Sequence, residues 1–307
     1  MKYLIIDSLA RSGTTLLSSI IRTQGGCVSF DGLVLESLAY ASEGWEWPLG
    51  FAMQPLMSLD ESPRLSPSEW RERLRVRVRE TFPRLSMGLS ITEWDSLLNE
   101  IDSFENLEIF YDKLAKKFDA SLIAFRWNQH LFYANKWLSK SVDHYWITSI
   151  RDPRDRAVSN SKTHGWDIEK NIQATDSYFQ KYYSVFDHPR FITVYYEDIV
   201  NNTRDTVSDL FCSIDFDISN LNLDSLVGSD NTPYKNQGWR VKTTFKSHAS
   251  GEQYNGMYNT STGQYKTALS PNDIRDFNIL IEKYPVLYRY RDGQSSASSL
   301  QGPVCEK

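Results

Sequence analysis

The chain reads as an α/β domain laid around a parallel sheet, and three observations say so. Residues 4–21, LIIDSLARSGTTLLSSII, open with the apolar run Leu4, Ile5 and Ile6 that suits a buried parallel strand. They pass through a turn of small and polar residues and continue with apolar residues at helical spacing, Leu16, Leu17, Ile20 and Ile21. Three later runs, 120–126 (ASLIAFR), 144–150 (HYWITSI) and 191–196 (FITVYY), have the length and apolar content of further buried strands. Finally, ASLIAFR ends in Arg126 and HYWITSI is followed at once by Arg151, so positive charge falls at strand ends, where ligands sit in this architecture.

The first strand, loop and helix carry the most information. Such a loop points several backbone N–H groups and the positive end of a helix dipole at one spot, which favours an anion there. Gly13 lets the backbone come close to that anion, Thr14 and Thr15 add hydroxyl donors in the first helical turn, and Arg11 adds a fixed charge with planar donors. A nucleoside-triphosphate loop, GxxxxGK[ST], does not fit. Aligned on Gly13, its first glycine falls on Ser8 and its lysine on Thr14, and the basic residue here precedes the glycine.

Beyond the first helix, Gly25 and Gly26 break the pattern and residues 27–30 form a short second strand, with Asp31 and Glu36 after it. A carboxylate just past strand two can face the loop after strand one; the other reading is a helix cap at Asp31 and a solvated Glu36. Residues 42–64, with Trp45, Trp47, Pro48 and Met53, read as an irregular segment covering a pocket or a core edge. Ser66, Pro67 and Glu69 mark a helix start, and the helix carries Arg71, Arg73, Arg75, Arg77 and Arg79, read as a solvated face with a surface for an anionic partner as the alternative. A second amphipathic stretch runs over 92–118, and His130, shortly after Arg126, is either a packing histidine or a base. A helix over 131–138 leads to the strand at 144–150.

The segment RDPRDRAVSNSKTH at 151–164 is the second informative one. Arg151 leaves a strand, a new helix is expected near Asp155, and Ser159 lies a turn or so into it, so both side chains can reach one phosphate. A surface ion-pair cluster of Arg151, Asp152, Arg154 and Asp155 is the alternative. Glu197 and Asp198 open a helix to about Cys212. Residues 238–266 are polar and weakly periodic, as lids and binding loops are. Ser270 and Pro271 start a closing helix that ends near Tyr284, and the composition from Asp292 is that of a disordered tail. One folded domain over 1–293 and a disordered tail over 294–307 follow.

At 307 residues, with 40% hydrophobic and 13% aromatic composition, the chain can bury a substantial core. A net charge of −5 argues against a general nucleic-acid binder, so any anion site is local. Met1 lies three residues before Leu4, which leaves no room for a signal peptide, and no window reaches the roughly 20 apolar residues of a membrane span. A soluble cytoplasmic protein with no membrane partner is expected. Cys27, Cys212 and Cys305 show no metal or disulfide spacing and are expected as reduced thiols.

Four strings taken together carry a resemblance: RSGTTLL at 11–17, IRDPRDRAVS at 150–159, YYEDI at 195–199 and GQYKTALSP at 263–271. In order and spacing they resemble the sulfotransferases that use 3′-phosphoadenosine 5′-phosphosulfate, and the likeness covers most of residues 1–290. The fold this implies is a single three-layer α/β domain with a central parallel sheet, similar to nucleotide kinases. By the same resemblance Arg11, Ser12, Gly13, Thr14 and Thr15 would bind the 5′-phosphosulfate, and Arg151 and Ser159 the 3′-phosphate. Tyr196 would lie near the adenine, and Gly263 with Lys266 would close over the 3′-phosphate. Arg126 stands where many members carry a second active-site lysine, while the adenine-stacking tryptophan of some members has no clear counterpart.

Cytosolic members usually have lysine where this chain has Arg11; arginine there resembles tyrosylprotein sulfotransferases and many bacterial members. Because arginine stays protonated, Arg11 is expected to stabilise charge and not to pass a proton. In arginine-bearing relatives the base is a glutamate shortly after strand two, and Asp31 and Glu36 are the nearest positions; His130 remains the candidate for the cytosolic-type histidine. The reaction implied is in-line sulfuryl transfer to a hydroxyl or amine of a small molecule, with the protein supplying the cations and no metal expected. A P-loop kinase with a degenerate loop and a non-catalytic nucleotide-binding protein are the alternatives.

Overall fold

A computed structural model describes residues 1–31, 68, 69, 72, 75, 90–100, 104–126, 134–139, 143–218, 221–223 and 262–291, with residues 30, 31, 104, 105, 107, 108, 136, 137 and 181 described in backbone only. Five strands form its sheet: β1 (Lys2–Asp7), β2 (Cys27–Asp31), β3 (Leu122–Arg126), β4 (His144–Ile150) and β5 (Phe191–Tyr195). Their order is β2-β3-β1-β4-β5 and every pairing is parallel. The helices are α1 (Thr14–Thr23), α2 (Ile91–Glu100), α3 (Phe104–Phe118), α4 (Ala134–Leu138), α5 (Pro153–His164), α6 (Ile168–Tyr182), α7 (Tyr196–Asn201), α8 (Thr203–Ser213), α9 (Tyr265–Ala268) and α10 (Pro271–Lys283).

The strands are apolar almost without interruption because both faces of the sheet are covered, which is what a parallel sheet requires. Alternate residues point to opposite sides. Leu4, Ile6, Ile147, Ile192 and Val194 pack with Leu17, Ile20 and Ile21 of α1 and with Val207 and Leu210 of α8. Tyr3, Ile5, Trp146 and Phe191 pack on the other side with Phe179 of α6 and Phe277 of α10. The result is the expected three-layer α/β domain with a central parallel sheet. The connection from β1 leads towards β2 on one side, whereas β4 lies on the other flank of β1. The loops leaving β1 and β4 therefore diverge from a crevice at the carboxyl edge, the position where open α/β sheets take ligands.

Three sequence-based boundaries shift. The helix of the RDPRD segment starts at Pro153 and not near Asp155, because Asp152 caps it by accepting from the Arg154 N–H at 2.9 Å and proline suits the first turn. The helix expected from Glu197 to Cys212 is two helices, α7 and α8, with Asn202 between them at φ −131° and ψ 46°. The amphipathic stretch 92–118 is likewise divided between α2 and α3. The expectation of three thiols is also corrected: Cys27 is free, but Cys212 is disulfide-bonded, through a pairing that no local spacing in the sequence announces. Among the described residues no helix is long and apolar enough to cross a membrane. The segment 42–64 with Trp45 and Trp47, most of the arginine-rich helix, residues 238–261 and the tail 294–307 lie outside the described residues.

Leu17 is fully buried between α1 and the sheet, directly behind the anion loop. Leu17→Ala is expected to cost about 2–5 kcal/mol of unfolding free energy, read as a lower urea midpoint at unchanged slope.

Candidate functional site

The turn between β1 and α1 has two residues in the left-handed region, Arg11 at φ 75° and Gly13 at φ 90°. Glycine adopts this freely; a non-glycine residue there holds about 1–3 kcal/mol of strain and has to be fixed by its surroundings. Arg11 is fixed at both ends. Its Nε donates to Ser159 Oγ of α5 at 3.0 Å, and its carbonyl accepts from Nη1 of Arg151 at 3.1 Å. The next carbonyl, that of Ser12, accepts from Ser149 Oγ at the end of β4.

Gly13 is needed for space as well as for its backbone angle. A Cβ at this position would meet Cδ2 of Tyr196 at 2.4 Å, a distance that neither atom can tolerate. The Tyr196 ring also carries the Arg151 guanidinium, 4.8 Å from the ring centroid. Gly13 brings no side chain to cap α1, so the N–H groups of that first turn are not satisfied by the cap residue itself. Buried Thr14 and half-buried Thr15 stand beside them. A glycine cradle, a helix start, two arginines and two serines thus converge on one spot, a donor set that fits a phosphate or phosphosulfate group.

Most of the residues singled out in the sequence are brought together here. Arg11, Ser12, Gly13, Thr14, Thr15, Arg151, Ser159 and Tyr196 share the one crevice. Arg126, 7% exposed, ends β3 in register with Ile6 of β1 and with Asp31 of β2, so Arg126 and the Asp31 backbone share the carboxyl edge with the loop. Glu36 and His130 lie outside the described residues. Gly263, at φ 73°, and α9 are drawn onto α5, the helix that carries Ser159. There Lys266 is exposed, with its N–H directed back to the Gly263 carbonyl.

What draws the late segment in was not foreseen. Asp155 accepts from the Gly263 N–H at 2.5 Å with one carboxylate oxygen and from the Tyr265 N–H at 2.9 Å with the other. Arg154 lies over the Tyr265 ring at 4.1 Å, and Lys162 Nζ donates to Gln264 Oε1 at 3.0 Å. Burial pushes the Asp155 carboxyl up, and the two amides oppose that. Glu197 is a second acid with a structural task. It accepts from the Asp152 N–H at 3.0 Å and from the Tyr290 hydroxyl at 2.7 Å, holding the turn after β4, and burial pushes it up too. The surface ion-pair reading of 151–155 therefore fails, since Arg151, Asp152, Arg154 and Asp155 are all buried. The only signal for Asp155 was its place in the first turn behind Pro153; its partners lie a hundred residues away.

No protein-family model and no curated protein matches the sequence. Among solved structures, a sulfotransferase domain from the curacin biosynthetic pathway superposes with TM-score 0.53 at 15% identity, covering 92% of this chain and 97% of that one. A sulfotransferase domain from the Synechococcus PCC 7002 olefin synthase gives 0.50 at 15% identity, covering 91% of this chain and 94% of that one. This chain has the sulfotransferase fold. At such identity the likeness is one of architecture, and what the site does rests on its own residues.

Within that sulfotransferase fold Asp155 is the clamp on the segment at 263–265. Asp155→Asn keeps the volume but leaves one acceptor for two N–H groups. Amide exchange at Gly263 and Tyr265 should quicken about tenfold, equivalent to the loss of one hydrogen bond, with exchange in the sheet unchanged. Unaltered exchange at both amides would remove the clamp.

Proposed function

We propose that this chain transfers a sulfuryl group from 3′-phosphoadenosine 5′-phosphosulfate to a hydroxyl or amine of a small-molecule acceptor. The observation that carries the reading is the bonded chain Ser159, Arg11, Arg151 and Tyr196 over Gly13, which joins two arginines to a glycine cradle at a helix start. Arg11, Ser12, Gly13, Thr14 and Thr15 are assigned to the 5′ end of the donor. Arg151 and Ser159 are assigned to the 3′-phosphate, Tyr196 to the base side, and Gly263 with Lys266 to closure over the 3′-phosphate. The donor supplies the sulfuryl group and a phosphate leaving group; the chain supplies fixed positive charge and aligned amides. Arg11, Arg126 and the N–H groups of α1 stabilise charge that grows as the bond to the departing phosphate lengthens. Neither arginine gives up its proton, so the acceptor's proton goes to a separate base, for which Asp31, Glu36 and His130 are the candidates.

A metabolite acceptor is supported by the two structural neighbours, one named for curacin biosynthesis and one for an olefin synthase. Placement in the cytoplasm is part of the same proposal.

Calorimetric titration with 3′-phosphoadenosine 5′-phosphate, beside ATP with magnesium, tests the donor. Micromolar affinity for the first and none for the second is expected; the reverse order would favour a kinase-like phosphotransferase. Arg151→Ala should weaken the 3′-phosphorylated nucleotide about 10- to 150-fold, as loss of charge-assisted hydrogen bonds would. Binding with no turnover on any acceptor would instead mark a nucleotide-binding protein.

The chemistry has its own test. Arg11→Ala is expected to lower kcat about 10²- to 10³-fold with folding intact. Of Asp31→Asn, Glu36→Gln and His130→Ala, one alone should abolish transfer while sparing nucleotide affinity. Full rates in all three would place the base elsewhere.

A further inference from the structure

Beyond α10 the chain runs into a short 3₁₀ turn, Pro285–Tyr290. Two neighbouring residues of this turn dock on two neighbouring residues of α7. Tyr290 donates its hydroxyl to Glu197 Oε2 at 2.7 Å, and Arg289 meets both oxygens of Asp198 at 2.7 Å. Arg289 also lies over the Tyr195 ring at 4.1 Å, and the Tyr195 hydroxyl donates to the Val286 carbonyl at 3.1 Å. None of these groups is assigned to the nucleotide.

What the turn reaches next lies on either side of Arg151. Glu197 Oε1 accepts from the N–H of Asp152, the residue after Arg151, at 3.0 Å. The Tyr290 hydroxyl lies 3.4 Å from the carbonyl of Ile150, the residue before it. The Tyr290 carbonyl accepts from Arg154 Nη2 at 2.7 Å. Glu197 itself follows Tyr196, whose ring carries the Arg151 guanidinium 4.8 Å from its centroid. The backbone under Arg151 and the ring against which its head lies are thus joined through Glu197, and Glu197 is held by Tyr290.

Asp152 caps α5, so its own N–H lies outside the helical ladder and needs an acceptor from elsewhere in the chain. Burial pushes the Tyr290 phenol well above its ordinary range, which keeps it a donor to that acceptor at neutral pH. With the phenol gone the carboxylate would be held by one amide and could turn. An arginine side chain is long, so a small rotation of its backbone moves the guanidinium far enough to spoil a charge-assisted bond. We propose that Tyr290 is a positioning residue for Arg151: through Glu197 it fixes the peptide after Arg151, and so makes the C-terminal turn a determinant of selectivity for 3′-phosphorylated nucleotides. This rests on the assignment of Arg151 to the 3′-phosphate.

The test compares calorimetric affinities for 3′-phosphoadenosine 5′-phosphate and for adenosine 5′-phosphate, which lacks the 3′ group, in the native chain, Tyr290→Phe and Tyr195→Phe. Tyr290→Phe keeps the ring and removes one hydroxyl. It is expected to weaken the first nucleotide about tenfold, equivalent to the loss of one hydrogen bond, and to leave the second within about twofold. Amide exchange at Asp152 should quicken by a similar factor. Tyr195→Phe removes a hydroxyl that ties the same turn to β5 and should leave both affinities as they are, which separates positioning from stability. A Tyr290→Phe chain that keeps the native ratio of the two affinities overturns the proposal, as does the same selective loss in Tyr195→Phe. Should Tyr290→Phe not fold, Glu197→Asp decides. Its carboxylate is one methylene shorter and falls short of reaching Asp152 and Tyr290 together, so an unchanged preference for the 3′-phosphorylated nucleotide refutes the pair. A native chain with no preference between the two nucleotides overturns the assignment of Arg151 itself, and the role of Tyr290 falls with it.

Discussion

The candidate site depends on one guanidinium, that of Arg151, which binds three separate parts of the chain at once. It leaves the end of β4, donates to the carbonyl of Arg11 in the loop after β1, and lies against the ring of Tyr196 at the start of α7. That ring in turn presses on Gly13, where no Cβ could be fitted. Each contact fixes the next: the cation positions the ring, the ring positions the glycine, and the glycine sets the first turn of α1. A change at any of the three moves the other two, so their effects will not add as independent sites would.

Magnitudes explain how the left-handed Arg11 is kept. A non-glycine residue at positive φ costs about 1–3 kcal/mol. Against this stand two hydrogen bonds from charged donors, Arg11 to Ser159 and Arg151 to the Arg11 carbonyl, each worth about 1.5–3 kcal/mol. The contacts outweigh the strain, and what the strain achieves is to set the Arg11 backbone and side chain in different directions. The backbone closes the loop on Arg151, while the side chain reaches α5. The sheet order makes this possible. With β4 beside β1, the loops that leave these strands start as neighbours and part only beyond the carboxyl edge.

Much of this was legible in the residues and some of it could not have been. The strands announced themselves because both faces of the sheet are buried, which leaves apolar runs such as residues 122–125. Gly13 and Arg11 were legible as the turn between β1 and α1 because an apolar strand, small and polar residues and a helical apolar pattern follow one another directly in the sequence. Asp155 was not, since its task is to accept two amides from residues 263 and 265, and no local pattern encodes a partner at that distance. The same holds for Glu197, whose role as a helix opener was visible but whose bonds to Tyr290 and to the N–H of Asp152 were not. Boundaries failed where capping decides them: Asp152 and Pro153 together start α5 earlier than the apolar pattern shows.

The acids around the crevice account for its charge. The chain as a whole carries −5, yet this end of the sheet gathers Arg11, Arg126, Arg151, Arg154 and Arg156. Nearby carboxylates are engaged in structural tasks. Asp152 holds Arg154 and caps α5, Asp198 forms a two-pronged pair with Arg289 at 2.7 Å, Asp155 holds backbone amides, and Glu197 takes a phenol and an amide. Each of these acids stabilises the frame with its charge turned to a partner in that frame. That is how a chain of net negative charge gathers arginines at one end of its sheet, and why those arginines are distinguished by what they bond. Arg154 and Arg289 are tied to carboxylates, whereas Arg11 donates to the Ser159 hydroxyl and Arg151 to the Arg11 carbonyl.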